Sequence, residues 1–236
     1  KTLPKQYAEY ISGWQKLNPD FKIKHWSDKD IDLKKYPLVK KAIEEKRWAL
    51  ASDVIRIYAL YEEGGIYLDT DVELLKPLSP LLKYDGFAGW ESNFWFTTSV
   101  LGAKQHSPWI AKLLKRFELT DPTKKITTNT FMKTVHAPSV YAQDIYNINL
   151  DGKTAEYADG KFAVFSSEYF SPKHYMTRVE NVTKNTIAFH HYDSTWYTPS
   201  ERLSTTAYLA LKPENYSKLE KIFNQSLEKK IRKELP

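Results

Sequence analysis

The chain is 236 residues long, 42% hydrophobic and 14% aromatic, with a formal charge of +6; that length is expected to bury the core of one large α/β domain spanning 1–236. The absence of cysteine excludes disulfides and thiolate metal or redox centres and fits a reducing compartment. No apolar run approaches the ~18 residues of a membrane span, and the opening KTLPKQY has no signal-peptide core.

Residues 3–17 place Leu3, Tyr7, Tyr10, Ile11, Trp14 and Leu17 at helical spacing, and Asn18-Pro19-Asp20 ends that helix. Residues 21–26 alternate Phe21, Ile23 and His25 with Lys22 and Lys24, the pattern of a strand. Pro37 introduces a second helix over 38–46. A third begins near Ala49 and carries Leu50, Val54, Ile57, Tyr58 and Tyr61 on one face. On it Asp53 and Arg56, three apart, are neighbours. Gly64-Gly65 stops this helix, Gly64 suiting a positive φ. Ile66-Tyr67-Leu68 then reads as a short buried strand delivering Asp69 and Asp71 at its C-terminal end. In open α/β sheets that end is where ligands bind.

Residues 72–82 continue as an extended segment and a turn containing Pro77 and Pro80. Strands are expected over 86–90, 94–102, 161–165 and 186–190, and helices over 108–117 and 130–135; residues 136–148 are ambiguous between the two. A basic amphipathic helix closes the chain over 213–233, with Tyr216, Leu219, Ile222, Phe223, Leu227 and Ile231 in step. Its lysines suit either a solvated face on a packed helix or peripheral contact with an anionic membrane. The chain opens without an apolar first strand, so a short N-terminal piece is expected to precede it.

Two constellations carry chemistry. At a strand end, where the chain turns, Asp69 and Asp71 can bracket one hard divalent cation, Mn²⁺ or Mg²⁺, which takes carboxylate and phosphate oxygens. Such a cation neutralises the charge of a departing diphosphate. Asp-x-Asp is also common in solvated loops; what raises it here is the apolar strand before it and the Asp53–Arg56 pair on the preceding helix. Arg56 suits a phosphate, and Asp53 can accept from sugar hydroxyls. The second constellation is His190-His191-Tyr192-Asp193-Ser194-Thr195-Trp196, after an apolar strand. An imidazole there can complete a metal site, while the hydroxyl and the indole N–H are neutral donors for phosphate oxygens. A core histidine beside a packed tryptophan is the competing reading.

The segment Ala51-Ser52-Asp53-x-x-Arg56 through Gly64-Gly65-Ile66-Tyr67-Leu68-Asp69-x-Asp71, with His191-x-x-Ser194-x-Trp196 later, resembles DXD glycosyltransferases. The closest pattern is that of family 32, with its yeast-type initiating mannosyltransferases and bacterial capsular-polysaccharide transferases; the clostridial glucosylating toxins share it. The resemblance implies a GT-A fold, a Rossmann-like nucleotide-sugar-binding domain with a mixed central sheet flanked by helices. It also implies a nucleotide-sugar donor, a divalent cation and retention of anomeric configuration. By position, Asp53 and Arg56 would hold the donor sugar, Arg56 also nearing the diphosphate, and Tyr67 would sit by the nucleotide. Asp69 would contact ribose and sugar and reach the metal through water. Asp71 would ligate the metal directly, His191 would be the second protein ligand, and Ser194 and Trp196 would contact the diphosphate from a closing loop.

A UDP-sugar is favoured over GDP-mannose as donor, and a glycan, lipid-linked in one version, as acceptor. The expected setting is cytoplasmic, peripheral at the inner face of the plasma membrane, in surface or capsular polysaccharide synthesis and without nucleic acid as a partner. Glu91 and Asp144 are acids near which the sugar could lie. The alternatives are a glucosylating effector acting on a protein and a non-catalytic glycan-binding module. A haloacid-dehalogenase-type phosphotransferase fits poorly, because Glu73 stands four residues after Asp69 where that class carries Thr or Val.

Overall fold

The computed structural model of the chain describes residues 3–121, 123–175, 177–193 and 213–233. Five strands make the central sheet: β1 (Gly65–Leu68), β3 (Gly86–Trp90), β4 (Phe96–Ala103), β5 (Ala155–Tyr157) and β6 (Phe162–Phe165). Their order is β1-β4-β3-β6-β5. Strand β1 runs antiparallel to β4, β4 antiparallel to β3, and β3 parallel to β6. Hence β1, β3 and β6 point the same way and end at one edge of the sheet. Two further strands, β2 (Val72–Leu74) and β7 (Ala188–His190), pair antiparallel as a separate ribbon.

Alternation along the strands divides the core in two. Phe162 and Val164 of β6 join a cluster beneath helices α2 (Pro37–Glu44), α3 (Trp48–Glu62), α4 (Pro108–Glu118) and α5 (Thr128–Tyr146). Ala163 and Phe165 face the opposite side, where α1 (Lys5–Leu17) and the β2–β7 ribbon pack. Cross-strand pairing of Phe87 with Gly102 is close enough that a Cβ on Gly102 would lie 2.0 Å from the Phe87 ring. The glycine is there because the aromatic covers it. The last helix, α6 (Pro213–Arg232), packs on α5 through Leu227 and Ile231.

Several expectations change. Residues 21–26 form no strand and pair with none among the described residues. Lys24 bridges to Glu63 and lies over Trp26, so the alternation there serves side-chain contacts at the end of α3 rather than a ladder. Strand β1 is half-buried at the edge of the sheet, not buried within it. Residues 128–146 form one continuous helix despite Pro138. Its start is fixed by Thr127 and Thr130, whose side chains each bond the other's backbone N–H, and its end by Asn147 in the left-handed region at φ 53°. Strand β5, only three residues long, has too little periodicity to be read from sequence.

Candidate active site at the end of strand β1

Helix α3 stops against β1 because Gly64 takes φ +68°, and no side chain fits there: a Cβ would sit 2.5 Å from the Gln105 backbone nitrogen. The Asp69 N–H donates to Ser99 O at 2.9 Å, continuing the pairing with β4. The Val72 N–H then donates to Asp69 O at 3.1 Å, closing a turn between β1 and β2. The turn is what cancels strand alternation and lets Asp69 and Asp71 face one point.

Beneath that point lies a buried charge cluster. Asp53 and Arg56 are 6% and 5% exposed, which a charged pair tolerates only when its polar atoms are engaged. One guanidinium nitrogen of Arg56, Nη2, lies 2.9 Å from Asp53 Oδ1 and 3.3 Å from Asp69 Oδ1. The other, Nη1, donates to Thr98 O at 2.5 Å, and its plane covers the Tyr67 ring at 4.8 Å. The Tyr67 hydroxyl donates to Asp69 Oδ1 at 2.7 Å. Arg56 is therefore the link between the helix acid and the strand acid. Burial pushes the Asp53 carboxyl up to about 7, against the pull of Arg56 and with the Asp69 charge adding to the rise. Its second oxygen, Oδ2, is buried with no hydrogen-bond partner among the described residues, an acceptor that a ligand hydroxyl could satisfy.

The opposite wall is the end of β7. Pairing of Val72 with His190 brings the two segments together. His190 Nε2 lies 3.4 Å from Asp71 Oδ1, and the Asp193 N–H donates to Asp71 Oδ2 at 3.1 Å. Burial works to raise the Asp71 carboxyl, but the bonds from His190 and the Asp193 backbone outweigh it and hold the group below the ordinary carboxylate range. Ligand atoms of Asp69, Asp71 and His190 all lie within 4.8 Å of one another. Two carboxylates and an imidazole at that spacing fit a divalent cation, and the nitrogen favours Mn²⁺ over Mg²⁺.

The two histidines are placed differently from each other. His191, expected as the second ligand, turns to the other side of the ribbon, with Nε2 3.0 Å from Glu73 Oε2 and its ring stacked on Tyr10 at 4.9 Å. Consecutive side chains on a strand point to opposite faces, so a one-residue slip exchanges the two. Strand alternation from buried Ala188 puts His190 on the face toward Asp71, a signal present in the sequence. Sequence reading also passed over Tyr7 on α1, whose hydroxyl is pushed up to about 12 by burial and by a hydrogen bond with Asp193. Asp144 pairs with Lys112 at 2.8 Å between α5 and α4, both side chains partly exposed. Glu91 follows β3 and accepts from the Tyr192 hydroxyl at 3.0 Å. Ser194 and Trp196 lie outside the described residues.

Residues 4–88 match the family model described as a glycosyltransferase sugar-binding region containing a DXD motif. A mannosyl phosphorylinositol ceramide synthase of Saccharomyces cerevisiae is 27% identical over 123 residues, 50% of this chain and 32% of that protein. An initiation-specific α-1,6-mannosyltransferase of Candida albicans is 33% identical over 91 residues, 33% of this chain and 22% of that protein. The chain thus spans a third or less of the length of these curated relatives. Among solved structures, the PaToxG glycosyltransferase superposes with a TM-score of 0.50 at 17% identity, covering 61% of this chain and 64% of that one. The amino-terminal third of the chain is thus similar to DXD-type glycosyltransferase sugar-binding regions, and the helix-flanked mixed sheet fits the GT-A architecture.

Proposed function

We propose that the chain is a metal-dependent hexosyltransferase that moves a sugar from a nucleoside diphosphate to a hydroxyl acceptor, with retention at the anomeric carbon. One observation carries the reading: the Asp69–Asp71–His190 cluster at the C-terminal end of β1, fed from below by the buried Asp53–Arg56 pair. Asp69, Asp71 and His190 would hold the cation; when bound, it offsets the charge that builds on the departing diphosphate. Arg56 adds fixed positive charge behind the carboxylates, already engaged and so costing no reorganisation during the reaction. The unpartnered Asp53 Oδ2 supports a bond from a donor-sugar hydroxyl. Tyr67 stiffens Asp69 through its own hydroxyl. Catalysis in this reading is positioning and electrostatics, without a dedicated nucleophile.

The relatives' names make a mannosyl donor and an inositol phosphoceramide or glycan acceptor the first to try, alongside UDP-hexoses. We extend the reading to a peripheral position at the cytoplasmic face of the plasma membrane, supported by the exposed Lys221, Lys229, Lys230 and Lys233 of the last helix and its end. The test is Asp71→Asn. With Mn²⁺ and UDP- or GDP-hexoses, wild type is expected to show donor binding by calorimetry and slow donor hydrolysis without acceptor. In the folded variant, binding weakens at least tenfold and hydrolysis is lost. Full activity of Asp71→Asn, or of wild type in excess EDTA, overturns the mechanism. Release of inorganic phosphate from simple esters would indicate a phosphatase, and glycan binding without hydrolysis a lectin.

A further inference from the structure

The edge that carries Asp69 and Asp71 holds a second feature. Since β1, β3 and β6 run parallel, the residues after β3 and β6 open on the same side of the sheet. There a cavity of about 400 Å³ is lined by Glu91, Ser167, Ser171, His174, Asn181 and the exposed Val179, among others. Strand spacing of ~4.8 Å puts β3 about 10 Å and β6 about 14 Å from β1. That separation leaves room for a donor sugar between the cavity and the carboxylate pair.

The outer wall is a folded strap. Lys173 bridges to Glu180 in antiparallel fashion, and the Asn181 N–H donates to Pro172 O at 2.7 Å. Within it the Thr177 N–H donates to His174 Nδ1 at 3.1 Å, and the Arg178 guanidinium donates to Tyr192 O at 3.0 Å. The strap is thereby tied to the segment that follows β7. Contacts also run inward to the metal-type cluster. The Tyr192 hydroxyl bonds Glu91, the Tyr192 ring lies 3.8 Å from the His190 ring, and His190 reaches Asp71. Cavity and cluster are separated by one tyrosine.

The lining identifies the class of ligand. Hydroxyl, amide, imidazole and carboxylate groups present both donors and acceptors, as vicinal hydroxyls require. No lysine or arginine lines the cavity among the described residues, so an anionic group finds no counter-charge there. A nucleotide or phosphate is disfavoured on that ground, and Asp53, on the α3 side of β1, already offers an acceptor to the donor sugar.

We propose that this cavity is the acceptor subsite, and that it takes a neutral polyol ring, a pyranose or cyclitol, with its attacking hydroxyl directed past Tyr192 toward the carboxylate pair. The proposal rests on the donor reading above for its catalytic meaning, but not for its binding test. Glu91 and Ser171 position the ring, and the exposed Val179 beside the opening meets whatever the ring is attached to.

The experiment uses ligand-observed NMR with methyl α-D-mannopyranoside and myo-inositol as probes and the full chain in Mn²⁺. Wild type is expected to bind at least one of them. Thr177→Trp fills the cavity from an exposed strap position and weakens binding tenfold or more, as does Glu91→Gln, with melting temperatures unchanged. Asp71→Asn keeps polyol binding, since the carboxylate lies beyond Tyr192. In donor hydrolysis, Thr177→Trp stays within twofold of wild type in rate and donor KM. Absence of polyol binding by wild type, or unchanged binding by Thr177→Trp, overturns the proposal. A rise in donor KM for Thr177→Trp also overturns it, by giving the cavity to the donor. Failure of the donor reading shows separately, as unchanged donor behaviour in Asp71→Asn.

Discussion

His136 should make the fold acid-sensitive by a calculable amount. It lies in α5, 8% exposed, its ring stacked on Trp95 at 4.5 Å, and its Nδ1 buried without a partner among the described residues. Burial alone pushes its pKa down from 6.5 to about 3. The folded state therefore refuses a proton that the unfolded chain accepts. Stability from this site is complete above pH 6.5 and falls as pH drops toward about 3. At about 1.4 kcal/mol per pH unit, the loss at pH 5 is about 2 kcal/mol, against a total of roughly 5–15 kcal/mol for a domain. In urea unfolding at pH 7.5 and pH 5.0, wild type should therefore lose about 2 kcal/mol more than His136→Leu. The partly buried His174, also shifted down, titrates equally in both proteins and cancels. At pH 7.5 the leucine variant should be no less stable, because it removes an unpartnered buried nitrogen. Equal pH dependence of the two proteins would refute the burial argument. So would a leucine variant that unfolds at pH 7.5. The outcome bears on function because Trp95 holds the Glu91 backbone, its carbonyl accepting from the Glu91 N–H at 2.8 Å.

Gly102→Val should destabilise by roughly 1–3 kcal/mol, the usual cost of overpacking, because its Cβ would meet the Phe87 ring at 2.0 Å. Chemical denaturation measures it, and partial rescue by Phe87→Leu identifies the clash; a neutral Gly102→Val would mean that the ring has room to move. The basic face of α6 should hold the protein on vesicles containing phosphatidylserine at low salt. Release is expected at high salt, where screening shortens the reach of exposed charge. Flotation reads this directly, and equal recovery on neutral phosphatidylcholine vesicles would remove the electrostatic account. Leu227 and Ile231 are already buried against the core, so binding should not depend on them.

What could be read from sequence follows from where the signal resides. The α3–β1 unit was legible because every local feature agrees: a helical stripe, Gly64 at a position where only glycine fits, a short apolar strand and two acids on the turn. The failures have one cause, the dependence of extended chain on partners that sequence does not display. Residues 21–26 alternate as a strand does but meet no neighbour to pair with among the described residues. β1 has a partner on one side only, so it is an edge and not a buried strand. β5, three residues long, exists because β6 lies beside it.

The placement of His190 and His191 depends on pairing in the same way, at the scale of one residue. The two imidazoles stand at the end of one apolar strand, His190 as its last residue and His191 just after it, and resemblance by position chose His191. The register Val72↔His190, Glu73↔Phe189 sets which face each side chain takes. His190 then turns to Asp71, while His191 turns to Glu73 and Tyr10. A candidate metal site assembled from two distant segments is specified by strand register as much as by residue type. Changing which histidine faces the carboxylates takes one residue of slippage and no change in composition. For that reason the separate substitutions His190→Ala and His191→Ala discriminate more sharply than any further alanine at the acids. Only the histidine that faces Asp71 should weaken Mn²⁺ binding, and a larger loss from His191→Ala would mean that the ribbon shifts register when the cation binds.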